Sequence, residues 1–249
     1  MTGMLASVSN AAEAAIALRA GADLIDCKDP HRGALGALPN VAIKAIRQQV
    51  GTRCPVSATV GDLPSEAAAL VPAVQRIAQT GVDYIKLGLF RTAGIDALLD
   101  ALRPIGAEHR LIAVLFADRS PRLDVVPDLA AAGFSGVMLD TADKANGRLP
   151  DLMSAGQLAD FVTLAHRHRL LCGLAGSLRV EDIEPLLGLA PDYVGFRGAL
   201  CEQGRKSELS ADACAQVSTA MSAAADDGVA PTGESVLPRR QKRRHEYCL

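Results

Sequence analysis

Five charged residues interrupt or end stretches that are otherwise apolar. Asp26 and Lys28 close DLIDCK (23–28), Lys86 sits inside DYIKLGL (83–89), Asp140 lies near the end of GVMLDT (136–141), and Lys144 follows four residues later. A charge in an apolar strand is costly unless it is paired. Asp26 and Lys28 are two residues apart, so both project to one side of a strand, and Cys27 between them faces the other. Amines and carboxylates brought together in this way suit imine chemistry. Desolvation and a second ammonium nearby lower an amine's pKa, so that it can attack a carbonyl. The carboxylates can then move protons between the intermediates. The plainer alternative is a set of mutual salt bridges with no turnover.

The elements that must hold these groups are legible as an alternation. Eight short aliphatic runs read as strands: 4–8, 23–28, 55–61, 83–89, 111–117, 136–141, 170–176 and 192–198. Most are continuously apolar, as expected for a parallel sheet covered on both faces. Between them lie helix signals. Asn10 with Glu13, and Ser154 with Gln157, have capping-box spacing. Leu158, Phe161, Val162 and Ala165 then share one helical face. Further helices are expected near 40–49, 67–80, 94–103, 122–132, 180–188 and 208–224, with Pro72 read either as helical or as a first-turn proline preceded by loop.

A weak repeat, AGADLIDCK, TGVDYIKLG, AGFSGVMLD and LAPDYVGFR, opens the second, fourth, sixth and eighth strands. Similarity at every second unit favours a single-domain TIM (β/α)8 barrel over residues 1–225. An open doubly wound sheet is the alternative, but no G-x-G-x-x-G follows the first strand. Residues 226–249, with Pro231, Pro238 and RRQKRR (239–244), have no apolar period and are expected to be a disordered basic tail.

In such a barrel the site lies at the C-terminal ends of the strands, and the loops after the seventh and eighth commonly hold phosphate. Gly176-Ser177 and Arg197-Gly198 occupy those positions. Backbone N–H groups, the Ser177 hydroxyl and the forked Arg197 guanidinium are the expected donors. Glycine alone would signal only a turn. His31, in DPHRGALGA (29–37), could line the site as an accessory acid, but it has no carboxylate partner at readable spacing, which favours a loop role. His166 and His168 face opposite ways on a polar helix rim and are expected to be solvated. No carboxylate–histidine cluster has metal-ligand spacing, so a metal-free enzyme without a cofactor is expected.

Composition narrows the partners. The chain has 249 residues, a net charge of −2 and 3% aromatic residues with no Trp, which argues against a nucleic-acid surface. No signal peptide or uninterrupted apolar span of transmembrane length is present, so a cytoplasmic protein with no membrane partner is expected. The six cysteines have no C-x-x-C spacing and read as small buried hydrophobes. Ala-rich faces near 11–20 and 211–225 would allow the helices of two copies to pack closely, so a homo-oligomer is expected.

At GADLIDCKDPHRGALGA (21–37), VSATVGDLP (56–64), DYIKLGL (83–89), MLDTADK (138–144), GLAGSL (173–178) and VGFRGALC (194–201) the sequence resembles the (5-formylfuran-3-yl)methyl phosphate synthase family of methanofuran biosynthesis. The resemblance implies a TIM barrel that condenses two molecules of glyceraldehyde 3-phosphate with loss of one phosphate and two waters. It places the Schiff-base lysine at Lys28, a second lysine at Lys86, and acidic and basic partners at Asp26, Asp140 and Lys144. The family commonly has Val where Cys27 stands, a change that an outward-facing position should tolerate. Two rivals stand beside it: another imine-forming aldolase acting on triose or deoxyribose phosphate, which would share the lysines and the phosphate seat, and a non-catalytic barrel that binds a phosphorylated metabolite and would not need both Lys28 and Lys86.

Overall fold

Strands that are apolar on both faces need helices outside them and their own side chains inside. The structure, a computed structural model, describes residues 1–91 and 94–227. The strands are β1 (Gly3–Val8), β2 (Leu24–Cys27), β3 (Val56–Thr59), β4 (Tyr84–Leu89), β5 (Leu111–Phe116), β6 (Gly136–Asp140), β7 (Leu171–Leu174) and β8 (Tyr193–Phe196). They form a closed parallel barrel in chain order, with β8 returning to β1 through Met4↔Val194 and Leu5↔Gly195. The open-sheet alternative is thereby excluded.

The outer helices are α1 (Ala11–Arg19), α2 (Asn40–Val50), α3 (Ala67–Ala78), α4 (Asp96–Glu108), α5 (Val126–Ala131), α6 (Leu149–Leu152), α7 (Ala155–Arg167), α8 (Ile183–Leu187) and α9 (Ala211–Asp227). Several differ from expectation. Pro72 lies inside α3 and not in its first turn, and α4 runs through Pro104. Both prolines are exposed, so water can take over the carbonyl that each leaves without a donor. The 180–188 helix begins as a 3-10 turn over Val180–Asp182, and the short α6 was not anticipated. The expected tail lies beyond the described residues from 228 onward, and α9 crosses the anticipated 225/226 boundary.

The alternating repeat has a structural cause. Asp23, Asp83 and Asp192 precede β2, β4 and β8, and each forms a two-way clasp with the preceding strand. The Asp23 backbone donates to Met4 O at 2.9 Å while its carboxylate accepts Met4 N at 2.9 Å. Asp83 does the same with Val56, and Asp192 with Cys172. Before β6 the position is Ser135, which keeps only the backbone half, to Leu111 O. The third copy, AGFSGVMLD, is accordingly the one without the aspartate.

Inside the barrel, Leu24, Tyr84, Ile112, Leu171 and Tyr193 form a buried apolar plug. Gly173 is required there, because a Cβ at that position would lie 2.3 Å from the Tyr193 ring. The charged residues sit one layer above this plug, toward the C-terminal ends of the strands. Cys27 packs outward among the helices, as expected. Cys172, Cys201 and Cys214 are buried free thiols and Cys54 is half-buried; Cys248 lies outside the described residues. No helix among the described residues is long and apolar enough to cross a membrane.

Candidate active site

Register across three neighbouring strands places Ser7, Asp26 and Ser57 side by side. The Ser57 hydroxyl donates to Asp26 Oδ1 at 2.7 Å and the Ser7 hydroxyl to Oδ2 at 3.1 Å. Lys86 Nζ lies 3.2 Å from Asp26 Oδ1. On the opposite side, Lys144 Nζ donates to Asp140 Oδ1 at 2.5 Å, and also to Thr141 O and Thr141 Oγ1. Lys28 Nζ lies between the two groups, 3.8 Å from Asp140 Oδ2.

The electrostatics follow from burial and from this stoichiometry. Burial by itself would raise Asp26, but the Lys86 and Lys28 ammonium groups and the Ser57 hydroxyl outweigh it and hold the carboxyl below its ordinary range. Asp140 is likewise opposed by burial, yet Lys144 and Lys28 bring it down to about 2. Burial lowers Lys86, Asp26 partly offsets this, and the neighbouring Lys28 charge lowers it further. Lys144 is lowered for the same kinds of reason, against the attraction of Asp140. Three amines thus share two ionised carboxylates. Lys144 uses its N–H groups on three oxygens and Lys86 has Asp26, whereas Lys28 has no carboxylate oxygen within hydrogen-bond distance among the described residues.

A cavity of about 410 Å³ opens above these groups. Lys28, Lys86, Lys144, Arg179, Arg197 and Arg205 line it, against Asp140 and Glu181, so it favours anions. Asp26 is fully buried beneath Lys86 and does not line the cavity. On the far wall the chain bends sharply at Gly176 (φ 121°) and Ser177 (φ 51°). Gly176, Ser177, Leu178, Gly198 and Ala199 line this wall, and the backbone N–H groups of Gly176, Ser177 and Leu178 make no backbone hydrogen bond among the described residues. Adjacent N–H groups left open at a sharp turn suit an anion.

Arg197 requires a correction. Its guanidinium is fully engaged within the protein: Nε donates to Arg205 O, Nη1 to Ser7 O and Glu13 Oε2, and Nη2 to Glu13 Oε1 and Ser207 O. No donor of the fork is left for a phosphate, because Glu13 from α1 occupies it. The same contact alters the expected cap at Asn10. Asn10 Oδ1 accepts Glu13 N, but the Glu13 carboxylate turns to Ser9 and Arg197. The Ser154–Gln157 box forms as anticipated. His31 is exposed and off the cavity wall. His166 is not merely solvated, since its Nε2 lies 3.1 Å from Asp192 Oδ2.

Residues 4–218 match the family model described as 4-HFC-P synthase. The chain belongs to the 4-HFC-P synthase family. It is 47% identical over 221 residues to a candidate (5-formylfuran-3-yl)methyl phosphate synthase of Methylorubrum extorquens, covering 88% of this chain and 92% of that one. It is 40% identical to the (5-formylfuran-3-yl)methyl phosphate synthase of Methanopyrus kandleri, over 82% of this chain and 91% of the relative. Among solved structures, phosphoribosyl anthranilate isomerase of Thermus thermophilus superposes with a TM-score of 0.64 at 16% identity, covering 90% of this chain and 99% of that one, a likeness of fold alone.

In this 4-HFC-P synthase family member, sequence reasoning missed the groups that support the five charged residues. Ser7 and Ser57 hold Asp26. Asp118 accepts the N–H groups of Ala142 and Asp143 and so fixes the loop carrying Lys144. Asp62 does the same for Ala34 and Leu35 in the loop after Lys28. The serines gave a readable signal, as polar residues in apolar strands at matching register. The two aspartates gave none, since each acts on a loop 24 to 28 residues away. Among the described residues, no group of three or more His, Cys, Asp and Glu is placed to hold a metal ion.

Proposed function

We propose that this protein is a (5-formylfuran-3-yl)methyl phosphate synthase that joins two molecules of glyceraldehyde 3-phosphate through an imine on Lys28, in the biosynthesis of a methanofuran-type cofactor. The observation that carries this reading is the excess of one amine over the carboxylates at the cavity floor, with Lys28 the most loosely paired. Its nitrogen lines the cavity and is not held at hydrogen-bond distance by a carboxylate among the described residues, which leaves it open to an incoming carbonyl.

The Lys28 nitrogen adds to the aldehyde carbon of one triose phosphate, and water leaves to give the imine. Lys86, on the cavity wall, takes the proton from the adjacent carbon, and Asp26 beneath it holds the lysine in place. The resulting enamine attacks the aldehyde of the second triose. Elimination of one phosphate, ring closure, dehydration and hydrolytic release of Lys28 then give the furan aldehyde phosphate, with Asp140 and Lys144 passing protons. Aromaticity drives the final steps. The N–H groups of Gly176, Ser177 and Gly198 seat one substrate phosphate.

Borohydride with glyceraldehyde 3-phosphate is expected to leave a covalent adduct that peptide mass spectrometry places on Lys28. An adduct on Lys86, or none, would sink the assignment. Lys28→Arg keeps the charge and is expected to abolish both the adduct and the release of inorganic phosphate. An aldolase that retains both phosphates would trap the substrate without releasing phosphate.

A further inference from the structure

The condensation proposed above brings two phosphates into one cavity, and the backbone seat proposed after β7 and β8 accounts for one of them. Arg197, the obvious second cation, is saturated by Glu13, Ser7 and the 205–207 loop. Arg205 is placed differently. Its backbone carbonyl accepts Arg197 Nε at 2.9 Å, so the base of the residue is fixed to the end of β8. Its side chain, half-buried, runs along the cavity wall past Gly198 and reaches the loop after β2, where Nη2 donates to Gly33 O at 3.2 Å. That loop is held in turn by the Asp62 carboxylate. Nε and Nη1 of Arg205 have no partner among the described residues. A guanidinium fixed at both ends, with donors open to a cation-rich cavity, is organised for a dianionic oxygen group.

We infer that Arg205 binds the phosphomonoester of the second triose and bridges the loops after β8 and β2 across the cavity mouth. This rests on the proposed condensation for its substrate and on geometry for its ligand class. The two parts are separable by experiment. Calorimetric titration with inorganic phosphate tests the ligand class without any turnover. Wild type is expected to bind phosphate at two sites, and Arg205→Met to keep the backbone site while the other weakens by on the order of tenfold or more, as for loss of a charge-assisted hydrogen-bonding group. Equal binding by the two proteins, or none by wild type, would overturn the inference.

In turnover, Arg205→Met is expected to raise KM for glyceraldehyde 3-phosphate by about ten- to a hundredfold with a smaller change in kcat, and Arg205→Lys to recover part of the loss. Borohydride trapping of unphosphorylated glyceraldehyde on Lys28 should be equal in wild type and Arg205→Met. If trapping of both aldehydes falls together, Arg205 is only a strap between loops and the inference is wrong. If wild type releases no phosphate from glyceraldehyde 3-phosphate, the condensation reading fails, while the phosphate titration still decides the role of Arg205.

Discussion

Lys28 is defined less by its own contacts than by those its neighbours have made. Asp140 is shared, its Oδ1 with Lys144 at 2.5 Å and its Oδ2 with Lys28 at 3.8 Å. Asp140 therefore carries a pH-dependent share of the stability. Its carboxyl titrates at about 2 in the folded protein and at about 3.9 when unfolded. A depressed carboxylate stabilises fully above the unfolded value, and the contribution disappears as pH falls through the folded one. The stabilisation is about 2–3 kcal/mol at neutral pH, lost between roughly pH 4 and pH 2. Urea denaturation of wild type and Asp140→Asn is expected to show a stability gap that narrows by about 2 kcal/mol from pH 6 to pH 2.5. A gap independent of pH would mean that the Lys144 and Lys28 contacts do not govern this group.

At the scale of elements, the paired clasps before β2, β4 and β8 join each even strand to the one before it at the closed end of the barrel. Each carboxylate satisfies an N–H at the start of a strand that has no ladder partner there. Replacing Asp83 by Ala is expected to cost about 1–2 kcal/mol in urea denaturation, since a charge-assisted bond to a strand N–H is lost while the backbone bond to Val56 O survives. Ser135 shows that the backbone half alone supports a strand. Gly173→Ala is the harsher change, because the added methyl meets the Tyr193 ring inside a packed plug. A loss of about 1–3 kcal/mol, read from the same titration, is expected. The clasps were legible as a repeat because they depend on local order. The position of Pro72 stayed open in the sequence, and the helix expected over 94–103 stopped short of Pro104, because the tolerance of each proline depends on which helix face meets water.

Over the whole molecule, Glu13 and Arg197 form the seam of the barrel. They stand 184 residues apart, with Nη1 to Oε2 at 2.6 Å and Nη2 to Oε1 at 3.1 Å, and they tie α1 to the end of β8. The pair is buried, so removing one partner leaves an uncompensated charge. Arg197→Met is expected to lose about 3–5 kcal/mol, and Glu13→Gln with Arg197→Met to lose clearly less than the two single changes added together. Additive losses in a double-mutant cycle would show that the pair is not coupled. Arg197→Met should also weaken phosphate binding, because Arg197 fixes the loop that carries Arg205.

The linear order of residues determined the eight-fold alternation, the clasp repeat and the shared aim of Asp26 and Lys28, because strand periodicity and helix capping act over a few neighbours. It determined the residue types of the site as well, since charges within apolar strands stand out without any contact being known. Tertiary structure decided how the donors were allotted. That Arg197 serves Glu13, that Asp26 lies beneath Lys86 and behind two serines, and that Arg205 reaches Gly33 follow from barrel closure. Closure sets competing partners side by side from opposite ends of the chain, and a hydrogen-bonding group taken by one of them is lost to the others.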